Sequence, residues 1–477
     1  MYAYAYTRMR VVGAFLISLL AVALLVPMSS GWYSGGGGDI RITTFTFDHY
    51  HSYSEVVSTL YAMAAAHPDI MNVSVIGYTY GWNDTTGAYD TPREILLVKI
   101  SDNVNVDEDE PEIFIDGLHH AREWLALEVP LYIIQTLVLN YSVNDTIRWL
   151  VDHREIYIIP MVNPDGYVHD GNGDLNSASY WRKNTRDNDG DGIFEDNFWT
   201  TEGVDLNRNY GVHWDLAPSQ DSDPDSDTYH GPAPFSEPET QAIRSVAENH
   251  TINLYITYHS YSSLILYPPG WTTDPSPWEY LFRSIGENMS KLQPYEQYTV
   301  QQSSDLYPAY GCADDWFYEN ESAIAFTIEL EGNDFYPPTS AIQTAVENNI
   351  EAALYAIMVG DMSIRVGFPP KPYIIYGYAA DPSQPVVAEN LANGENVSVM
   401  PASNGFYMLN LGLLTSNYST SDTIRVSNGA AYVDINTDYS WGKRVDIAPV
   451  PEFDPGMAVL IVLIVAALLS AGRRGTP

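Results

Sequence analysis

The sequence predicts an α/β fold with a mostly parallel or mixed sheet flanked by helices, followed by a small all-β sandwich. Three observations predict it. From about Thr44, strand-like apolar runs alternate with helical stretches, the pattern of layered α/β domains. Two apolar, buried-type strand runs carry a single chemically capable residue near their carboxyl ends, His259 and Glu329. After Pro369-Pro370 the composition shifts to short alternating strands with turn signals, as in a sandwich.

Residues 1–38 read as an export signal and glycine-rich linker. Arg8 and Arg10 precede an apolar run from Val11 to Met28, then Ser29, Ser30 and Gly31, with Gly35 to Gly38 behind them. An uncleaved anchor is the alternative. The α/β part spans 39–362. In it, Ile95–Ile100 and Glu112–Ile115 are strand-like, and Glu123 to Leu139 forms a long apolar helix. Pro130 is expected to mark a kink or an early turn, because it lacks an N–H and crowds the preceding turn. Glu155 to Met161 is a buried strand, Leu254 to Tyr258 another, and Ser322 to Leu330 a third. Glu329 is the one carboxylate in that last run, and a charge there is costly unless it is paired or working.

The sandwich spans 363–450, with strands such as Asn396-Val-Ser-Val-Met and Thr423-Ile-Arg-Val and a turn at Asn404-Gly405. Residues 451–477 read as a membrane anchor or sorting tail. Met457 to Ala471 is apolar and a little short of the roughly 17–25 residues of a full span. Arg473 and Arg474 behind it would stay cytoplasmic, leaving the bulk of the chain outside.

Composition narrows the function. The 477 residues hold 61 acidic and 22 basic side chains, a net charge of −39. Such a surface argues against nucleic acid or an anionic membrane as the main ligand. One cysteine, Cys312, excludes an intrachain disulfide. Nine Asn-x-Ser/Thr sequons suit an exported, cell-surface or extracellular protein. A monomer is expected.

The chemistry starts at Gly-Leu-His119-His120-Ala-Arg122-Glu123-Trp124. His120 and Glu123, three residues apart, can share one face of a turn entering a helix. Both are zinc ligands, and a catalytic zinc takes three protein ligands and keeps one open position. His259 is the candidate third. Between them stand Trp181-Arg182-Lys183-Asn184 and Gly203-Val-Asp205-Leu-Asn207-Arg208-Asn209.

With these motifs, and with Asn163-Pro164-Asp165-Gly166, Tyr229-His230-Gly231-Pro232 and Ser236-Glu237-Pro238-Glu239, the chain resembles zinc metallocarboxypeptidases of the pancreatic A/B type. The resemblance covers roughly residues 45 to 360 and implies a mixed eight-stranded sheet. It implies one catalytic zinc on His120, Glu123 and His259, Glu329 as general base, and Arg182 as the donor to the tetrahedral oxyanion. It implies that Asn207 and Arg208 grip the substrate's terminal carboxylate and that Tyr307 closes over the substrate. Arg122 and Tyr261 would contact it elsewhere in the cleft.

Asp314, directly before Asp315-Trp316, matches the position where A types carry an apolar residue and B types an aspartate. The expected partners are therefore peptide or protein C-termini, with Lys/Arg ends preferred or specificity mixed. The tail similarly resembles archaeal carboxyl-terminal sorting signals. A zinc amidohydrolase acting on small N-acyl amino acids, and a non-catalytic binding protein on the same fold, are the competing readings. Asp187, Asp189 and Asp191, at alternate positions with Gly192 behind, form a candidate Ca²⁺ loop. A solvated acidic turn is the alternative, since Phe198 stands where the usual final Glu would be.

Overall fold

The computed structural model describes residues 44–447, apart from 84, 193, 195–201, 367–369, 439 and 441. The expected export signal and tail lie outside the described residues. Among these, no single helix is long and apolar enough to cross a membrane.

Eight strands form one mixed sheet: β1 (Met71–Tyr78), β2 (Glu94–Ile100), β3 (Glu112–Gly117), β4 (Glu155–Ile159), β5 (Ile252–Ser260), β6 (Leu264–Tyr267), β7 (Thr299–Gln302) and β8 (Ile324–Leu330). Their order is β1-β2-β4-β3-β5-β8-β6-β7. The centre, β4-β3-β5-β8, is parallel throughout. Parallel strands covered on both faces read as continuous apolar runs, and β4 is buried at every position. β4 lies on one side of β3 and β5 on the other, so the chain steps from β3 to β4 in one direction and then from β4 past β3 to β5 in the opposite one. Crevices at such points, beyond the carboxyl ends of strands, are where open α/β sheets bind ligands.

Local signals set the helix starts. Ser52 and Glu55 form a reciprocal capping box on Tyr53–Ala66. Asn144 caps Asp145–Val151, and Asn163 with Pro164 starts Pro164–His169. The helix expected from Glu123 begins at Leu125 and runs to Asn140, with Pro130 inside its second turn. Proline denies the carbonyl four residues back its helical N–H. That carbonyl, of Ala126, instead lies against Gly117, where an added Cβ would sit 2.1 Å from the oxygen. Only glycine lets the end of β3 approach this helix so closely.

Seven further strands follow: β9 (Ile374–Tyr378), β10 (Val386–Asn390), β11 (Asn396–Val399), β12 (Phe406–Asn410), β13 (Thr423–Asn428), β14 (Ala431–Asn436) and β15 (Gly442–Arg444). They make a four-stranded antiparallel sheet, β11-β10-β13-β14, and a three-stranded sheet, β12-β9-β15. β15 runs parallel to β9. Burial alternates along β10 and β13 as a one-faced sheet requires. Asn404-Gly405 is a turn, with Gly405 at φ +86° and the Asn404 side-chain Oδ1 accepting from the Phe406 N–H. Apolar packing is continuous from Ile357, Met358 and Met362 into Ile374, Val386, Met408 and Val426.

Candidate active site

The cleft lies at the carboxyl ends of β3, β5 and β8. After β3 the chain turns sharply: Leu118, fully buried, has φ 61°, a left-handed conformation costing of order 1–3 kcal/mol for such a residue. The turn separates two adjacent imidazoles. His119 points into the interior, its Nε2 2.8 Å from the Tyr210 hydroxyl. His120 points into the cleft.

His120 Nδ1 lies 2.7 Å from Glu123 Oε1, His259 Nδ1 lies 2.9 Å from Glu123 Oε2, and the two Nδ1 atoms are 3.1 Å apart. All three residues are nearly fully buried. Two facing ring nitrogens can share only one proton, so the arrangement aims a nitrogen lone pair and a carboxylate at one point. Tetrahedral zinc with bonds of about 2.0–2.1 Å spans a ligand triangle of roughly this size. The residues therefore fit the ion. Burial pushes the Glu123 carboxyl up, but the two imidazoles more than offset it and hold it well below the usual carboxylate range. Burial pushes His259 down, favouring the neutral ring that a metal needs.

Sequence reading missed the residue that orients this site. Asp205 is fully buried; its Oδ1 lies 3.1 Å from His120 Nε2, and its Oδ2 accepts from Arg182 Nε and Nη2 at 2.9 and 2.8 Å. A proton on Nε2 leaves the Nδ1 lone pair free for the metal. The signal was present: Asp205 is also the cap of the turn Leu206–Arg208, accepting from Asn207 N–H. Asn163 is a second residue whose role the sequence does not disclose. Its Nδ2 donates to the carbonyls of His119 and Lys183, both at 3.1 Å, tying the metal-site loop to the loop that carries Arg182.

Glu329 stands opposite His259 in the β5–β8 register. Burial and the charge of Glu123 push its carboxyl up to about 8. His120, Glu123, Arg182, Tyr261, Tyr307 and Glu329 all line one cleft of about 310 Å³, with Arg122 and Phe335 at its wall. Arg122 packs on the Phe335 ring at 4.5 Å and pairs with Asp227 at 3.2 Å. Tyr261 sets its edge against the same ring. Tyr307 is half exposed and lies 5.9 Å from the Arg208 guanidinium.

Asn207, Arg208 and Asp314 are buried and are not among the residues lining this cleft. Asn207 accepts from Ala313 N–H at 2.9 Å, and Arg208 donates to the Asn207 carbonyl and to Cys312 Sγ. Asp314 Oδ2 accepts from Ser303 Oγ at 3.0 Å, and burial raises its pKa. The acidic loop gathers Asp187 and Asp189 with Glu202, within 4.8 Å of one another; Asp191 is not in that trio. The Asp187 carboxylate accepts from the N–H groups of Gly190 and Gly192.

The zinc carboxypeptidase family profile matches residues 56–352. A zinc carboxypeptidase of Saccharothrix mutabilis subsp. capreolus is 33% identical over 333 residues, 66% of this chain and 71% of that one. Carboxypeptidase B of Astacus astacus is 34% identical over 310 residues, 62% of this chain and 93% of its own. Among solved structures, carboxypeptidase A from Helicoverpa armigera superposes with a TM-score of 0.57 at 30% identity, covering 67% of this chain and 76% of that one.

Proposed function

The chain belongs to the zinc carboxypeptidase family, and from that premise we propose that it acts outside the cell, removing C-terminal residues from peptides with a preference for Lys or Arg. One observation carries the reading: Glu329 and Arg182 share a cleft with the converged donors of His120, Glu123 and His259.

Those three side chains would hold the zinc, which when bound supplies a Lewis acid for the scissile carbonyl and makes water acidic enough to attack. Glu329 takes the proton from the attacking water on its carboxylate and returns it to the leaving amine. Arg182, held by two bonds to Asp205, donates to the oxygen on which negative charge develops. Arg208 and Asn207 receive the terminal carboxylate, which a guanidinium fork and an amide match well. Tyr307, half exposed at the entrance, closes the cleft over the bound end. Asp314, beneath this clamp, selects a cationic side chain.

The acidic surface and the sequons support an exported enzyme, with residues 451–477 as its anchor or sorting tail. Deleting the tail should release the protein from the membrane fraction; unchanged membrane association would refute that part. Calcium at Asp187, Asp189 and Glu202 is proposed as structural, and a calcium-selective chelator should lower thermal stability. The test of the function is a hydrolysis panel: peptides ending in Lys, Arg, Phe, Leu and Glu, and N-acyl amino acids, each with and without a zinc chelator. Hydrolysis of acyl amino acids alone, or chelator-insensitive peptide cleavage, would overturn the reading.

A further inference from the structure

A second cavity, of about 630 Å³ and about twice the size of the catalytic cleft, lies where the helix Glu279–Lys291 meets the β-rich part. Its other walls are the approach to β9 at Lys371–Tyr373 and the side chains of Tyr418, Thr437 and Asp438. Its volume falls within the about 300–1,000 Å³ typical of small-molecule sites.

Its charges are unusual for this chain. The sequence has five lysines, Lys99, Lys183, Lys291, Lys371 and Lys443, against 61 acidic residues. Two of the five, Lys291 and Lys371, line this one cavity. Both are exposed, and neither makes an ion pair among the described residues. Lys99, by contrast, is paired with both Asp107 and Glu155. In so acidic a protein, two uncommitted ammonium groups on one cavity make a local site for an anion.

The remaining lining says which kind. Tyr280, Tyr373 and Tyr418 contribute amphipathic rings. Two of these are already fixed in place: the Tyr418 hydroxyl donates to the Lys371 carbonyl at 2.6 Å and the Tyr373 hydroxyl to Asp438 Oδ1 at 3.3 Å. Glu287 and Asp438 are on the walls too. Carboxylates accept from hydroxyl groups and repel a multiply charged phosphate more strongly than a singly charged carboxylate, so a ligand that spreads single charges among hydroxyls is favoured over a dense one. Aromatic surface, hydroxyl acceptors and two cations together match a sugar chain that carries carboxylates.

We propose that this cavity binds a short acidic oligosaccharide of the uronic-acid class, its carboxylates on Lys291 and Lys371 and its hydroxyls on Glu287 and Asp438. The proposal is independent of the peptidase reading, because none of these residues lines the catalytic cleft. The test is calorimetric titration of the purified full chain with trigalacturonate, maltotriose and inorganic phosphate, repeated on the double variant K291Q/K371Q. Trigalacturonate should bind. The double variant should bind it at least about tenfold more weakly, since charge-assisted hydrogen bonds are lost. Its melting temperature and peptide turnover should stay unchanged. No binding of trigalacturonate, or equal binding by the double variant, overturns the proposal. Maltotriose binding as tightly would show that charge plays no part, and phosphate binding as tightly would reduce the cavity to a simple ion site; either result also overturns it.

Discussion

Asp205 Oδ1 holds His120 Nε2 at 3.1 Å, and the other oxygen of the same carboxylate holds Arg182. One buried acid thus sets both the metal ligand's tautomer and the position of the oxyanion donor. Burial pushes Asp205 upward, but Arg182, His120 and Arg208 together hold it well below the carboxylate range, so it stays charged.

Replacing Asp205 with Asn should therefore weaken zinc binding by about 10–100-fold, the usual effect of losing such an orienting partner. It should also lower kcat when zinc is saturating, because Arg182 loses its anchor. Zinc affinity and saturating-zinc kinetics measured side by side check this. If kcat recovers fully with excess zinc, Asp205 serves the metal alone.

Glu329→Gln keeps the shape of the side chain and removes its basicity. It should retain zinc stoichiometry and lose turnover by about 10²–10⁴-fold or more, the range of a general acid–base contribution. Metal analysis and single-turnover kinetics on the same preparation decide it. Near-normal turnover would assign the proton transfer to another group.

Asp314 is buried at 3% exposure, and its neighbour Asp315 accepts from Gly270 N–H at 2.9 Å. A cationic substrate side chain would give Asp314 a charged partner, whereas an apolar end leaves a buried carboxylate poorly compensated, at about 1–3 kcal/mol. Wild type should prefer Lys or Arg over Phe by at least about tenfold in kcat/KM, and Asp314→Ile should invert the order. An unchanged ratio in the variant would remove Asp314 from the specificity pocket.

Glu239 offers a pH prediction away from the cleft. It is fully buried, and burial, with the neighbouring charge of Glu237, pushes its carboxyl up to about 8. Its Oε1 has no hydrogen-bond partner among the described residues. The folded state thus favours the protonated acid, against a value near 4.5 when unfolded. Its contribution to stability is complete below about 4.5 and is lost as the pH rises through about 8. Melting temperatures between pH 5 and pH 9 should fall more steeply for wild type than for E239Q, and the variant should be the more stable at pH 9. Parallel curves would mean that Glu239 is already ionised in the fold.

What the sequence disclosed follows the range of the signals involved. The central strands were readable because parallel, doubly covered strands must be apolar end to end, and Glu329 stood out as the exception inside one. His120, Glu123 and His259 were readable because their types and order are restrictive. Asp205 and Asn163 were not assigned, since each first looks like a local cap and only the fold supplies its second partner. The same limit explains Pro130: its freed Ala126 carbonyl is accommodated by Gly117, nine residues earlier and on another element, so the helix continues. Asp191 and Glu202 show the converse, since a pattern at alternate positions proposed one acid and the tertiary structure brought in another.

The unbroken apolar packing from Met358 and Met362 into β9, β10, β12 and β13 has a practical side. Asp361 ties the seam, accepting from Asn410 Nδ2 at 2.9 Å and pairing with Arg154 at 3.3 Å. A chain cut near residue 362 would leave a raw hydrophobic face and take the Asn410 amide from Asp361, the makings of an insoluble product. The β-rich part is thus less a bead on a string than a graft, and a change of side-chain volume on one side of the seam is felt on the other.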